Sequence, residues 1–162
     1  MFTGGPGAGK TTLLEALKRK GYCYAPEAAR EIIKSRINQS LTPRPAPVEF
    51  AQTILETDIR RYREYGLENR PVFFDRGILD ALYMLDVLGA LSEADLNVYL
   101  NQFKYCHTVF LLPPWEEIYR VDTERDQTFD DALAVYDALK KWYKLQGYQT
   151  IEVPRCQVSE RV

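Results

Sequence analysis

Short apolar or β-branched runs alternate along this chain with longer stretches in which apolar positions recur every three or four residues. Residues Met1 to Thr3, GYCYA at 21–25, PVFFD at 71–75, HTVFLLP at 107–113 and YQTIEVP at 148–154 read as strands. Helical spacing is predicted for Lys10 to Lys20, Glu27 to about Gln39, Val48 to about Gly66, Leu79 to Gly89 and Ser92 to about Phe103. In the third of these, Val48, Ala51, Leu55, Ile59 and Tyr62 put an apolar stripe on one face. Three prolines between Ser40 and Pro47 separate it from the helix before it. A last long helix begins after Thr128, an N-cap residue by type, carries Phe129, Leu133, Tyr136, Leu139 and Tyr143, and is closed by Gly147.

Strands alternating with helices predict an α/β fold with a parallel sheet covered on both faces, and PVFFD, apolar on both sides, suits the inside of such a sheet. With 162 residues and 46% hydrophobic content, one domain spanning 1–162 is expected. Charges of both signs sum to −2, so no basic field calls for nucleic acid. Cys23, Cys106 and Cys156 are odd in number and far apart, as suits reduced thiols rather than a disulfide frame or a zinc site. No apolar run approaches the ~18 residues of a membrane span, and glycines and a lysine stand where a signal peptide would, so a cytoplasmic protein with no membrane partner is expected. Oligomeric state is left open.

The chemistry begins at GGPGAGKTT. Gly4, Gly9, Lys10 and Thr11 complete the pattern G-x-x-x-x-G-K-[ST]. In such a loop the backbone N–H groups of Gly5, Gly7, Ala8, Gly9, Lys10, Thr11 and Thr12 converge on phosphate oxygens at a helix N-terminus. The lysine neutralises the terminal phosphates, and the Thr11 hydroxyl is a ligand for Mg2+. At glycine's ordinary usage of about 7%, chance produces the full pattern in about one such chain in a hundred or fewer. The dinucleotide fingerprint fails on spacing, because its third glycine would fall on Lys10 or Thr12. Only Met1 to Thr3 precede the loop, about 10 Å of extended chain, so the first strand is either clipped or merely short.

Charged residues at the carboxyl ends of the other strands are the next candidates. Asp75 closes an apolar strand and can hold a metal directly or through water; Arg76 beside it can hold an anionic group. Their alternative is a helix cap with a surface ion pair. Glu27, after the second strand, is a candidate general base or hydroxyl anchor, or simply an acid complementing a helix dipole. Arg30, one turn on, shares that ambiguity. Arg120 and Arg125 flank a charged segment, about 115–128, that can act as a lid over a transferring phosphoryl group; a solvated loop is the alternative.

With GGPGAGKTT, PEAAR, FFDRGILD and DTERDQTFDDAL in this order, the chain resembles a family of small P-loop ATPases carrying an AAA-like label and related to the ribosylnicotinamide kinase domain of the bifunctional NAD regulator. The resemblance implies a three-layer P-loop NTPase fold, with a five-stranded parallel sheet in the order 2-3-1-4-5 and helices on both faces. The wider group of thymidylate and deoxynucleoside kinases implies roles for Glu27, Asp75 and Arg76, and for Arg125 with Arg120 as lid arginines. The expected activity is ATP- and Mg2+-dependent phosphoryl transfer to a small nucleoside-like or phosphorylated acceptor. Lys10 and the loop would bind phosphates, Thr11 and Asp75 the metal, Glu27 the acceptor, and Arg76 with Arg125 the transferring group. The proline-rich loop and the helix from Val48 to Tyr65 would line the acceptor pocket. A regulatory ATPase module that controls a partner protein is the rival expectation; the absence of an NKxD sequence disfavours a GTPase.

Overall fold

The structure, a computed structural model, describes residues 1–5, 7–119 and 128–162. Its elements follow the alternation read from the sequence: β1 (Phe2–Gly4), α1 (Lys10–Arg19), β2 (Cys23–Ala25), α2 (Ala28–Asn38), α3 (Pro47–Tyr65), β3 (Val72–Phe74), α4 (Ile78–Val87), α5 (Glu93–Gln102), β4 (Thr108–Leu112), α6 (Phe129–Leu145), β5 (Gln149–Glu152) and α7 (Val158–Arg161). The caps fall where side-chain chemistry put them. Ser92 Oγ accepts from the Asp95 N–H, and Thr128 forms a reciprocal capping box with Asp131. Pro47 opens α3 at a position where its missing N–H costs nothing.

The chain divides into two compact units. The first comprises Met1–Ala25, Arg70–Asp75 and Cys106–Val162 and holds every strand. All pairing is parallel. β1 pairs with β4 through Phe2↔Phe110 to Gly4↔Leu112, β4 pairs with β5, and β2 pairs with β3 through Cys23↔Val72 to Ala25↔Phe74. The expected single five-stranded sheet is corrected to a three-stranded ladder, β1-β4-β5, and a two-stranded one, β2-β3. The physical reason lies in strand length. β1 has three residues, and on the β3 side it meets only one residue in register, giving the isolated bridge Phe2↔Asp75.

The Phe2 ring stacks on Phe110 at 4.9 Å and meets Phe73 edge-on at 5.4 Å. Each such aromatic pair adds about 0.5–1.5 kcal/mol beyond area burial. Phe2 also joins Ala8, Leu13, Leu14, Leu17, Leu112 and Val153 in one apolar cluster, against which Val162 packs. Helix α1, which carries the end of the glycine loop, is anchored by this cluster.

The second unit, Pro26–Asn69 with Arg76–Tyr105, is helical. Its core is formed where α3 packs on α4, with Phe50, Ala51, Ile54, Leu55, Ile78, Leu79, Ala81, Leu82 and Leu85 buried. The Tyr62 hydroxyl clips the chain at Lys104, donating to its carbonyl at 2.9 Å and accepting its N–H at 3.1 Å. The predicted apolar stripe on α3 is rotated slightly: Ala51 and Leu55 are buried, Val48, Ile59 and Tyr62 only partly so, and Asp58 and Arg61 share the buried face. None of the described helices is long and apolar enough to cross a membrane.

Candidate functional site

In the first unit the glycine loop joins β1 to α1. Gly4 has φ 141°, and a Cβ there would lie 2.3 Å from the Leu112 carbonyl oxygen, so the chain passes β4 too closely for any side chain. Gly9, at φ 79°, is the N-cap of α1 and supplies no capping side chain. The first-turn N–H groups of α1 therefore have no side-chain oxygen from their own cap. No acidic residue stands in that turn, while Lys18 and Arg19 sit in the last. Both features leave the positive helix end available to an anion.

Lys10 is 7% exposed, and its Nζ donates to the Gly5 carbonyl at 3.1 Å within the loop itself. An ammonium held this way can exchange neutral carbonyl acceptors for charged phosphate oxygens, which bind it more strongly. Ala8 is buried in the apolar cluster. Thr11 is half-buried and Thr12 exposed in the first turn of α1.

Asp75 belongs to the same unit. It is buried at the end of β3, its N–H donates to the Ala25 carbonyl at 2.9 Å, and its bridge to Phe2 puts it beside the strand that feeds the loop. Thr11 and Asp75 offer a hydroxyl and a carboxylate, the hard oxygen donors that Mg2+ takes. Among the described residues no group of three His, Cys, Asp or Glu side chains could hold a metal ion. A cation here would thus depend on phosphate oxygens as well as on protein, which is the usual way with Mg2+.

The second unit gathers side chains from distant points in the sequence. Arg76 has a left-handed backbone, φ 64°, a conformation uncommon outside glycine and one that clusters at functional sites. Its Nε donates to Glu27 Oε1 at 3.1 Å and its Nη1 to Asp80 Oδ1 at 3.1 Å. Glu27 stands at the N-cap of α2 but makes no capping bond; its other oxygen faces Arg30 Nε at 3.6 Å. Its carboxylate thus lies between two guanidinium groups at the start of α2. Arg61, 5% exposed, is bonded to Glu31 and to the Pro26 carbonyl.

Asp58 completes this cluster. Burial, and after it the Asp80 carboxylate, push its pKa up to about 8 against the opposing pull of Arg61. Tyr105, whose hydroxyl accepts the Ile78 N–H at 3.3 Å, is raised well above the ordinary phenol value, chiefly by burial.

Of the residues singled out from sequence, Lys10, Thr11, Asp75 and the glycines fall together in the first unit, and Glu27, Arg30 and Arg76 in the second. Arg120 and Arg125, with most of the expected lid at about 115–128, lie outside the described residues. Asp58, Arg61 and Asp80 were not picked out by motif. Their signal was present nonetheless: Asp58 and Arg61 extend the buried Ala51, Ile54, Leu55 face of α3 by helical spacing, and charges on a core face need an explanation. Tyr119, whose ring lies against Gly7, and Arg161, whose guanidinium lies 5.1 Å from the Trp115 ring centroid and near Gly9, were also missed.

A family model described as an AAA domain, AAA_28, matches residues 1–161. No curated protein matches the chain significantly. Among solved structures, deoxyadenosine kinase from M. mycoides with the products dCMP and a flexible dCDP bound is similar at a TM-score of 0.66. That likeness has 16% identity and covers 99% of this chain and 92% of the other. The same kinase with bound dATP gives a TM-score of 0.54 and 17% identity, over 99% and 93%. At such identity the likeness speaks to the fold alone, an α/β fold with parallel strands that resembles the deoxyadenosine kinase's.

Proposed function

Because the chain belongs to the AAA domain family whose model spans residues 1–161, and carries its loop on a fold that resembles the deoxyadenosine kinase's, we propose that it is an ATP- and Mg2+-dependent phosphotransferase acting on a small nucleoside-like acceptor. The observation that carries this reading is the Lys10 ammonium held on the Gly5 carbonyl at a helix N-terminus with no acid in its first turn. The deoxyadenosine kinase of like fold was found with nucleotides, which supports a nucleotide ligand for this loop.

In this reading the loop amides and Lys10 bind the β- and γ-phosphates, placing positive charge where it must grow stronger in a loose, in-line transfer. Thr11 and Asp75 hold Mg2+, which when bound supplies charge neutralisation across the phosphates. Glu27 anchors the acceptor hydroxyl and takes up its proton as that oxygen bonds to the γ-phosphorus and the bond from this phosphorus to the bridging oxygen of the departing ADP breaks. Arg76, tied to Glu27 and Asp80, keeps that carboxylate in position and offers its guanidinium to the transferring group. Arg125 acts as a lid arginine, within a lid at about 115–128. One domain over 1–162, a cytoplasmic setting, no nucleic-acid or membrane partner, and kinship to the ribosylnicotinamide kinase domain belong to the same proposal.

The alternative is a regulatory ATPase module, favoured by the AAA description of the matching family. Incubation with ATP, Mg2+ and a panel of nucleosides separates the two. A phosphorylated nucleoside that forms only with wild-type chain, and not with Lys10→Ala, is expected; ATP hydrolysis indifferent to every acceptor would favour the module.

A further inference from the structure

The segment that follows β4 runs against the glycine loop, and both belong to the first unit. Its course is set by a 3₁₀ turn at Glu116–Ile118, where the Ile118 N–H donates to the Trp115 carbonyl at 3.2 Å and the Tyr119 N–H to the Glu116 carbonyl at 3.1 Å. A Cβ on Gly7 would lie 2.5 Å from Cδ2 of the Tyr119 ring, and one on Gly9 would lie 3.2 Å from Cδ1 of Ile118. Two successive residues thus fill the places of the side chains that Gly7 and Gly9, both left-handed at φ 73° and 79°, do not have. Tyr119 is itself held: its hydroxyl donates to the Thr128 carbonyl at 3.0 Å and its ring meets Phe129 edge-on at 5.5 Å, at the capped start of α6. Helix α6 packs in turn on β1, the strand that feeds the loop.

We propose that Tyr119 is a positioning residue for the phosphate loop: its ring, tied to the start of α6, props Gly7 in the left-handed conformation in which the loop amides converge on an anion. This rests on the reading that the loop binds the phosphates of a nucleotide. Glycine visits positive and negative φ about equally, so a loop carrying Gly4, Gly5, Gly7 and Gly9 has many conformations to give up when its amides converge. A contact that settles one of these residues before the ligand arrives removes that share of the ordering cost from binding. An apolar ring edge can do so without competing with phosphate for the loop's N–H groups, as a carboxylate in its place would. Gly7 is then required twice over, by its own φ and by the ring that occupies the space of a side chain.

The test is calorimetric titration of ATP and of inorganic tripolyphosphate, each with Mg2+, into the full chain and its Tyr119→Phe, Tyr119→Ala, Gly7→Ala and doubly substituted variants, with urea midpoints taken without nucleotide. Tyr119 is only half-buried, so its truncation leaves the chain folded. Tyr119→Ala is expected to weaken both ligands about 5- to 30-fold, the range for ordering one residue's backbone. Tyr119→Phe, which keeps the ring and loses only the donor to Thr128, weakens them much less. Gly7→Ala weakens ATP binding, and costs less in the Tyr119→Ala background, where the clash with the ring is gone and only the strain of φ remains, so the cycle is non-additive. Additive losses, or unchanged ATP affinity in Tyr119→Ala, overturn the inference. So does a loss for ATP with none for tripolyphosphate, which would make the ring a contact to the base. A lowered urea midpoint with both affinities intact would give Tyr119 a purely structural role and overturn it as well. If wild-type chain binds neither ligand, the phosphate-loop reading falls, and the inference with it.

Discussion

The two units of the chain hold their functional charge in opposite ways. In the first, one ammonium is kept by backbone: Lys10 rests on the Gly5 carbonyl, five residues away in sequence, at the end of a helix built to receive an anion. In the second, charge is kept by charge: Arg76 binds Glu27 across 49 positions and Arg61 binds Glu31 across 30. The first arrangement is local and includes neutral backbone acceptors. The second is long-range and self-compensating, and removing a member exposes the others. A loop and a helix end suffice to hold the ammonium of Lys10 by backbone, whereas the charge cluster of the second unit needs the fold around it.

The largest effect expected from breaking this contrast is in the charge cluster. Arg76→Ala leaves the buried Asp80 carboxylate, 6% exposed, without its guanidinium. Loss of one member of a buried pair costs about 3–5 kcal/mol, to be read as a lowered midpoint in urea unfolding. Retained stability would mean that the cluster is far more hydrated than its burial implies.

Next comes the cradle. Lys10→Ala removes a charged hydrogen-bond donor to phosphate, worth about 1.5–3 kcal/mol, so ATP affinity should fall about 10- to 100-fold in titration calorimetry.

A third prediction concerns pH. Asp58 has a pKa of about 8 folded against 3.8 as its ordinary value, so the native state holds the proton more tightly than the unfolded state does. Its contribution to stability is present in full below about pH 4, declines as pH rises, and is gone above about pH 8. The slope between is at most about 1.4 kcal/mol per pH unit. Melting temperatures of wild-type and Asp58→Asn chains across this window should diverge, the variant lacking that share of the decline. Parallel curves would show that Asp58 ionises freely.

The smallest effect belongs to the first unit's scaffold. Thr128→Ala removes both the side-chain acceptor for the Asp131 N–H and the hydroxyl that donates to its carboxylate, and should cost about 1 kcal/mol in chemical unfolding. No change would imply that water caps α6 equally well.

How far each region could be read from sequence follows from the same contrast. The glycine loop, its lysine and the helix after it are one contiguous string, and backbone geometry alone dictates glycine at Gly4 and Gly9. Helix limits were likewise legible, since Ser92, Thr128 and Pro47 act within one turn of themselves. Asp58 and Arg61 were hidden because α3 reads as an amphipathic helix with polar interruptions, and nothing near them in sequence names Glu31, Asp80 or Pro26 as neighbours. Glu27 was ambiguous for a related reason: its tie to Arg76 reaches across 49 positions, and only the one to Arg30 lies within a turn. The sheet was misjudged as continuous because strand count can be read from alternation, while the length over which β1 and β3 stay in register cannot.

The central proposal is phosphoryl transfer from ATP to a small nucleoside-like acceptor. The most direct measurement follows γ-labelled ATP and a nucleoside mixture through the reaction by mass spectrometry, counting label in nucleoside monophosphate and in free phosphate. The account predicts that label moves to a nucleoside hydroxyl in step with ADP formation and that Glu27→Gln suppresses this transfer. Label appearing only as free phosphate, at a rate unchanged by any nucleoside, would contradict it.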